Sequence, residues 1–207
     1  MRRTRYMLLV LFLGCSLSGY TQENSYRKLY IDLSGSSSIF KNSFTNSWEP
    51  SLSPHIGLRV NYHFGSLEAG VRYTSYNGSR SDFSEYEESA FTSLFIYAGW
   101  EYPFRLAPNL SLAPGFRFGN SFLTFDHPAT YPPEGSFGEY KFDPHESEFA
   151  YELFIRLEYA LSGGPWSLHT GFSYNRTLTY HPMPLGLISV GLSRSFTTPS
   201  WLKDFLQ

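Results

Sequence analysis

The sequence predicts an all-β protein, an eight-stranded antiparallel up-and-down transmembrane β-barrel with short turns at one rim and long loops at the other. Three observations lead to this prediction. Apolar and polar residues alternate with a period of two in eight segments, the connections alternate between short and long, and only 16% of the 207 residues are charged while 19% are aromatic. An ordinary soluble domain has about 25% charged residues. The 39 aromatic residues are also too many for a disordered chain, so the chain is expected to fold.

Residues 1–21 have the layout of a secretory signal peptide. Arg2, Arg3 and Arg5 precede an apolar run at residues 7–13, and small and polar residues follow that run. Removing this segment takes away three arginines and no acidic residue, so the formal net charge changes from −2 to −5. The alternative is lipoprotein processing, in which Cys15, the only cysteine, is lipidated. Cleavage as a secretory signal peptide without lipidation is favoured, because small and polar residues continue beyond Cys15.

The first four segments alternate as strands with two unlike faces do. Their apolar faces consist of Leu29, Ile31 and Leu33 in the first, Ile56, Leu58, Val60, Tyr62 and Phe64 in the second, Leu67, Ala69, Val71 and Tyr73 in the third, and Leu94, Ile96, Ala98, Trp100 and Tyr102 in the fourth. The opposite face is largely polar in the first three segments. In the fourth it is less polar, because it carries Phe95 and Tyr97.

The last four segments repeat the pattern. Their apolar faces consist of Leu110, Leu112, Pro114, Phe116 and Phe118 in the fifth, Phe149, Tyr151, Leu153, Ile155, Leu157 and Tyr159 in the sixth, Trp166, Leu168, Thr170, Phe172 and Tyr174 in the seventh, and Ile188, Val190, Leu192 and Phe196 in the eighth. In the fifth segment Pro114 predicts a bulge, because proline cannot donate a ladder hydrogen bond.

The connections indicate how the strands cross a membrane. Tight turns are expected at residues 65–66, 103–109 and 162–165, whereas longer polar stretches occupy residues 41–51, 77–90 and 126–145, with a shorter one at 180–184. Short turns at one rim and long loops at the other are typical of outer-membrane barrels, whose termini lie at the short, periplasmic rim. Each segment has about the 10 residues that a tilted transmembrane strand needs.

A soluble lipocalin-like barrel with an apolar interior is the alternative, because alternation alone does not say which face points outward. Aromatic residues lie near the strand ends of the apolar face, as in an interfacial girdle. The other face mixes Gly and Ser with charges of both signs, and the first strand has no Gly-x-Trp. These features favour a membrane barrel over residues 27–196.

The eight segments, the leader and the last strand at residues 186–196 resemble the small outer-membrane β-barrel family of OmpX-like and OmpA-barrel-like proteins. The resemblance implies location in the bacterial outer membrane. It also implies that the barrel-insertion machinery recognises Phe196, the terminal aromatic of the last strand. We call such a recognition residue the insertion mark. Residues 197–207 depart from the family, and they predict a periplasmic tail with a short amphipathic helix. Phe205 in this tail is the alternative insertion mark.

Nine charged residues fall on the face that this barrel would turn inward, and they form the predicted lumen ion network: Asp32, Arg59, Glu68, Arg72, Glu101, Arg117, Glu152, Arg156 and Glu158. The interior of an eight-stranded barrel is just wide enough for its own side chains to fill. Buried charges are tolerated only when they are paired. We therefore expect a salt-bridged plug rather than a gated ion path.

No catalytic residue, cofactor or metal site is predicted. The six histidines lack metal-ligand spacing, and His127 and His145, at the ends of one long loop, have no further fixed ligand. A lipid-modifying enzyme needs a serine and a histidine within hydrogen-bond reach. His169 and Ser173 instead lie four residues apart on one strand, about 13 Å at roughly 3.3 Å per residue.

The outer loops are the remaining place for function. They combine aromatic residues (Phe44, Trp48, Phe83, Tyr86, Tyr131, Phe137, Tyr140 and Phe142) with acidic residues (Glu49, Asp82, Glu85, Glu87, Glu88, Asp126, Glu134, Glu139, Asp143 and Glu146). Such loops fit an extracellular protein ligand, or divalent ions that bridge lipopolysaccharide. The alternative is a hydrated rim that only keeps the loops soluble. The excess of acidic over basic residues argues against nucleic acid as a binding partner.

Taken together, the sequence predicts a non-enzymatic barrel in contact with outer-membrane lipid and lipopolysaccharide. Its expected role is envelope structure, or surface interaction and adhesion through the acidic aromatic loops. A narrow porin-like channel for small solutes or ions is the first alternative, and an outer-membrane lipid-modifying enzyme is the second.

Overall fold

The computed structural model describes residues 27–62, 65–78, 90–126, 130–131, 140–141, 145–179 and 182–206. The signal peptide and the lipoprotein site at Cys15 lie outside these residues. Most acidic residues of the two longest loops lie outside them as well. None of the helices in the described part of the chain is long and apolar enough to cross a membrane.

Eight long strands form one antiparallel barrel, as the alternation predicts. They are β1 (Lys28–Ser38), β2 (Ser53–Tyr62), β3 (Gly65–Gly78), β4 (Phe91–Glu101), β5 (Leu110–Phe125), β6 (His145–Ala160), β7 (Trp166–Thr177) and β8 (Met183–Thr197). Each strand pairs with its neighbours in sequence. The pairing of β8 with β1, from Lys28 opposite Thr197 to Ser38 opposite Leu187, closes the sheet. The predicted fold class is confirmed.

The apolar face of the strands points outward. In β7, for example, Trp166, Leu168 and Phe172 are each more than 40% exposed, whereas His169 and Ser173 are buried. The same exposed series continues around the barrel, with Leu33, Ile56, Leu58, Ile96, Phe118, Leu153, Ile155, Ile188, Val190 and Leu192. A soluble protein does not expose an apolar belt of this extent. The lipocalin-like alternative is therefore wrong.

Aromatic residues flank the apolar belt at both ends. The periplasmic group consists of Tyr62, Trp100, Tyr102, Phe104, Tyr159, Trp166 and Phe196, and the extracellular group consists of Tyr73, Phe122, Phe149, Tyr151 and Tyr174. Several rings of the periplasmic group contact one another, including Trp100 with Tyr102 and Tyr102 with Phe104. Girdles of this kind are characteristic of transmembrane barrels.

Several connections differ from the prediction. The stretch at 103–109 contains a short strand, Phe104–Ala107, which pairs back onto β5. The loop at 41–51 contains a helix, α1 (Ser43–Ser47), and a short strand, Trp48–Pro50, which pairs with the end of β3. In the third long loop Thr130–Tyr131 pairs with Tyr140–Lys141. The alternation does not show these additions. The helix α1 and Trp48–Pro50 depend on contacts with β8 and β3, and the other two additions are short hairpin pairings outside the alternating segments.

The bulge expected at Pro114 is absent, because the pairing of β5 with β6 runs through Pro114 opposite Ile155 without a shift. The physical reason is the position of the proline. β4 ends at Glu101, opposite Gly115. Pro114 lies just past that pair, so its missing N–H falls at the end of the ladder.

The C-terminal tail forms the predicted short helix, α2 (Ser200–Leu206), two residues after the end of β8. Pro199 immediately precedes the helix, and its carbonyl accepts hydrogen bonds from the N–H groups of Leu202 and Lys203. A proline just before a helix is tolerated, because the first N–H groups of a helix have no intrahelical partner and the missing donor is not needed there.

Candidate functional site: the lumen of the barrel

All nine residues of the predicted ion network project into the lumen, where they form one continuous set of ion pairs. No side chain in the network is more than 13% exposed. We call this set the ion ladder. It contains five carboxylates and four guanidinium groups.

The periplasmic end of the ladder is centred on Arg59 of β2. Its guanidinium lies 3.4 Å from Asp32, 2.9 Å from Glu101 and 2.7 Å from Glu158. The ring of Tyr30 packs against the same group, with the guanidinium carbon 4.4 Å from the ring centroid. One arginine thus connects carboxylates from three strands.

The middle of the ladder is Arg156 of β6. It contacts Asp32 at 3.1 Å, Glu68 at 3.6 Å and also Glu101. Because Asp32 and Glu101 are shared with Arg59, the two arginines belong to the same network. Glu68 then continues the network toward the extracellular side.

The extracellular end consists of Arg117, Glu152 and Arg72. Arg117 donates from Nε to Glu68 and from Nη1 to Glu152, both at 2.6 Å. Arg72 donates to the second oxygen of Glu152, whose side chain is fully buried. Cross-strand register explains the pairing, because Arg117 lies directly opposite Glu152 on the neighbouring strand.

Aromatic rings fill the space between the charges. The guanidinium of Arg117 lies 4.8 Å from the ring centroid of Tyr97 and 4.2 Å from that of Phe154. The hydroxyl of Tyr97 hydrogen-bonds to Nε2 of His55, and the two rings stack. A Cβ on Gly70 would lie 2.6 Å from that hydroxyl. Glycine at this position therefore makes room for the tyrosine.

These rings are not among the residues predicted for the lumen. The signal that points to them is the aromatic second face of the fourth segment, where Phe95 and Tyr97 alternate with lipid-facing residues.

A layer of hydroxyl groups lies on the extracellular side of the ladder. Thr74 donates to Ser53 Oγ at 2.8 Å, and Ser36 donates to the carbonyl of Ser53 at 3.3 Å. Ser121 and Thr177 hydrogen-bond at 3.4 Å. Beside the ladder is a cavity of about 30 Å³, whose lining includes Ser34, Ser36, His55, Arg72, His169 and Ser173. A volume of this size has room for about two water molecules.

An apolar cluster closes the extracellular end of the lumen. We call it the apolar cap, and it consists of Phe44, Tyr76, Phe91, Leu123, Met183, Leu185 and Leu187. Its rings are in direct contact: the centroids of Tyr76 and Phe91 are 4.4 Å apart, and those of Phe44 and Tyr76 are 5.5 Å apart. Phe44 belongs to α1, and its side chain enters the mouth of the barrel from the extracellular side.

The position of α1 corrects the prediction that Phe44 and Trp48 belong to an exposed loop surface. Phe44 is only 8% exposed, and Trp48 packs against it with a centroid distance of 5.5 Å. Hydrogen bonds hold the helix in place. Asn42 caps it by accepting from Thr45 N at 2.9 Å, while Asn42 Nδ2 donates to the carbonyl of Pro184 on β8 at 2.9 Å. This second hydrogen bond joins the loop that follows β1 to β8, which lies 142 residues later in the sequence.

The serine and histidine residues considered for catalysis are inside the barrel. His169 Nδ1 lies 2.9 Å from Ser193 Oγ, a pair that the sequence analysis missed because the two residues are on different strands. Ser193 is fully buried and Ser173 is 9% exposed. A lipid substrate on the outer surface does not reach these groups. Among the described residues, no three His, Cys, Asp or Glu side chains converge as a metal site.

Phe196 belongs to the outward series of β8, where it lies opposite Leu29 of β1 and is 37% exposed. Of the acidic loop residues, Glu49 is exposed and Glu146 is half-buried in the inward series of β6. The side chains of Tyr131 and Tyr140, and the loop residues at 82–88, 134–139 and 142–143, lie outside the described part of the chain.

No protein-family model and no curated protein sequence matches the chain. Among solved structures, the chain is similar to Neisserial surface protein A, with 17% identity over 82% of this chain and 95% of that chain, and a TM-score of 0.51. It is also similar to the Yersinia pestis outer membrane protein Ail, with 15% identity over 82% of this chain and 99% of that chain, and a TM-score of 0.48.

The N-terminal β-barrel domain of Pseudomonas aeruginosa OprF matches with 13% identity over 83% of this chain and 99% of that chain, and a TM-score of 0.41. The likeness to Neisserial surface protein A is one of fold. The closed antiparallel barrel and its apolar outer surface are those of a bacterial outer-membrane β-barrel.

Proposed function

We propose that this chain is a non-enzymatic β-barrel of the bacterial outer membrane with a sealed lumen, and that it serves envelope structure or surface interaction through its extracellular loops. The observation that carries the proposal is the filling of the lumen. The ion ladder crosses the interior, and the apolar cap closes the extracellular mouth.

The ladder opposes ion passage because its charges are already bound to one another. Each of the four arginines contacts at least one carboxylate within 4.0 Å. Removing one partner of a buried ion pair costs about 3–5 kcal/mol. A passing ion would have to compete for these groups in a space that holds about two water molecules.

The apolar cap is a second barrier in series with the ladder. Apart from the hydroxyl of Tyr76, its side chains offer no hydrogen bonds to replace the hydration shell of an ion, and Phe91, Leu123 and Leu187 are at most 2% exposed. Together the two barriers favour a scaffold over the narrow porin-like channel.

The loops are the proposed site of interaction. Their acidic and aromatic residues suit an extracellular protein ligand, or divalent ions shared with lipopolysaccharide. The mature barrel also contacts outer-membrane lipid. We further propose that residues 1–21 are a cleaved signal peptide and that Phe196 is the mark for the barrel-insertion machinery.

Single-channel recording in a planar bilayer tests the sealed lumen. A heat-dependent gel shift first shows that the refolded mature protein is a closed barrel. We expect no conductance steps from the wild type, because the ladder and the cap both block the lumen. Arg105→Ala, a substitution in the periplasmic turn, is the matched control and should also be silent.

Steady openings in the wild type that increase in Arg156→Ala would contradict the sealed lumen. That outcome would support the narrow channel, with Arg156 as part of its selectivity filter.

A further inference from the structure

The periplasmic end of the barrel carries a cation on its lipid-facing side. Arg194 of β8 is exposed and belongs to the outward series that includes Leu192 and Phe196. Its guanidinium carbon lies 5.1 Å from the ring centroid of Trp166 and 4.9 Å from that of Phe196. A charged side chain on the lipid face costs little only near the membrane interfaces. Arg194 therefore marks the level of the lipid headgroups.

A second arginine marks the opposite level. Arg176 belongs to the outward series of β7 and is half-buried beside Pro184 and Tyr151 on the neighbouring strands. Trp166, which pairs with Arg194, and Arg176 lie ten residues apart on β7. At roughly 3.3 Å per residue and a tilt of about 40°, this spacing corresponds to about 25 Å along the barrel axis. That is the usual height of the apolar band.

No other Asp, Glu, Lys or Arg belongs to an outward series in the described residues of the eight long strands. The two arginines therefore bracket the apolar band on the β7–β8 side of the barrel. Arg194 lies on the side of the chain termini, which is the periplasmic side.

Helix α2 lies beside this rim. Only two residues separate it from β8, and the first of them, Thr198, is buried and donates its N–H to the carbonyl of Arg27 at 3.1 Å. The helix therefore begins within about 10 Å of the strand end. Trp201 and Phe205 are one helical turn apart and share a side of the helix. They are 68% and 81% exposed, respectively.

We propose that α2 lies in the periplasmic leaflet and that Arg194, Trp201 and Phe205 form a surface that binds anionic phospholipid headgroups. The exposed aromatic pair follows Phe196, the last lipid-facing aromatic of β8, within nine residues of the chain. A guanidinium forms paired, charge-assisted hydrogen bonds with phosphate. Tryptophan favours the interface because its ring is apolar while its N–H is polar.

The location of α2 is tested by fluorescence quenching. A variant with Trp48→Phe, Trp100→Phe and Trp166→Phe retains Trp201 as its only tryptophan. It is refolded into vesicles of phosphatidylcholine and phosphatidylglycerol whose acyl chains carry bromine at defined depths. We expect quenching by bromine close to the headgroup, weaker quenching by bromine at the chain end, and protection from aqueous iodide.

Strong iodide quenching without bromine quenching would place Trp201 in water and overturn the proposal. Bromine quenching that falls as the protein-to-lipid ratio rises would assign the surface to a second copy of the chain, and would also overturn it. If the variant does not form a heat-modifiable barrel, the difference between the wild type and Trp201→Phe supplies the same measurement.

The charge requirement is tested by the preference of the protein for spin-labelled phosphatidylglycerol over phosphatidylcholine. We expect Arg194→Gln to lower this preference about fivefold, which is the effect of one basic residue at an anionic surface. Arg105→Gln is the matched control, because Arg105 is on the same rim but its Nη2 donates to the carbonyl of Pro108 within a turn. Equal losses in the two variants would contradict a specific surface at Arg194. Neither readout depends on whether the lumen conducts.

Discussion

At the scale of single residues, Glu152 is the carboxylate on which the extracellular end of the ion ladder depends. It is fully buried and accepts from both Arg72 and Arg117. Glu158, at the periplasmic end, has a 13% exposed side chain and contacts one arginine of the ladder, Arg59. The same chemical group thus has two environments, and the consequence of neutralising it should differ between them.

We predict that Glu152→Gln lowers the free energy of unfolding by about 3 kcal/mol or more, because it leaves two buried guanidinium groups without their shared carboxylate. Glu158→Gln is the control and should have a clearly smaller effect, since water reaches that end of the ladder. The measurement is the urea midpoint of the heat-dependent gel shift for protein refolded in lipid vesicles. Equal shifts in the two variants would show that pairing at Glu152 does not stabilise the ladder.

At the scale of single elements, α1 shows how a loop becomes part of the lumen. Its five residues are too few to be stable as an isolated helix. The cap by Asn42, the hydrogen bond from Asn42 to Pro184 and the burial of Phe44 hold it over the mouth. The helix therefore depends on contacts that only the closed barrel provides.

We predict that Asn42→Ala increases amide hydrogen exchange in residues 42–48 about thirtyfold. The substitution removes a helix cap and one tertiary hydrogen bond, each of which contributes about 1 kcal/mol. Ser43→Ala, at an exposed neighbouring position, is the control. Exchange measured by mass spectrometry that is the same in both variants would mean that Asn42 does not hold the loop in place.

At the scale of the whole molecule, the barrel is complete before the tail begins. β8 pairs with β1 up to Thr197 opposite Lys28, and α2 follows outside the sheet. The eight strands, the ladder and the apolar cap therefore do not require residues 199–207. This separation allows the role of the tail to be tested independently of the fold.

We predict that a chain ending at Thr198 reaches the outer membrane as a heat-modifiable barrel at near wild-type levels, because it retains Phe196 on the last strand. Phe196→Ala in the full chain should reduce the assembled fraction severalfold. Fractionation of the envelope followed by the gel shift measures both. If truncation or Phe205→Ala prevents assembly while Phe196→Ala does not, Phe205 is the insertion mark.

The strands and their faces were predictable because alternation is a local property. A period of two puts successive side chains on opposite faces whatever the partner strand is. The residues of the ion ladder were found in the same way, since charges of both signs recur on one face and a small barrel interior must pair them. The position of α1 and the Ser193 partner of His169 could not be found, because each depends on contacts between segments far apart in sequence.

By itself, the sequence determined the fold class, the eight strands and which side chains share a face, because alternation is a local property. The aromatic residues at the strand ends and the charges of both signs on the other face then indicated which face points into the lumen. The tertiary structure alone decided which arginine binds which carboxylate, that Tyr97 and Phe154 separate them, and that Phe44 closes the mouth. These contacts join residues far apart in sequence, and only closure of the sheet and the exact stagger of its strands bring them together.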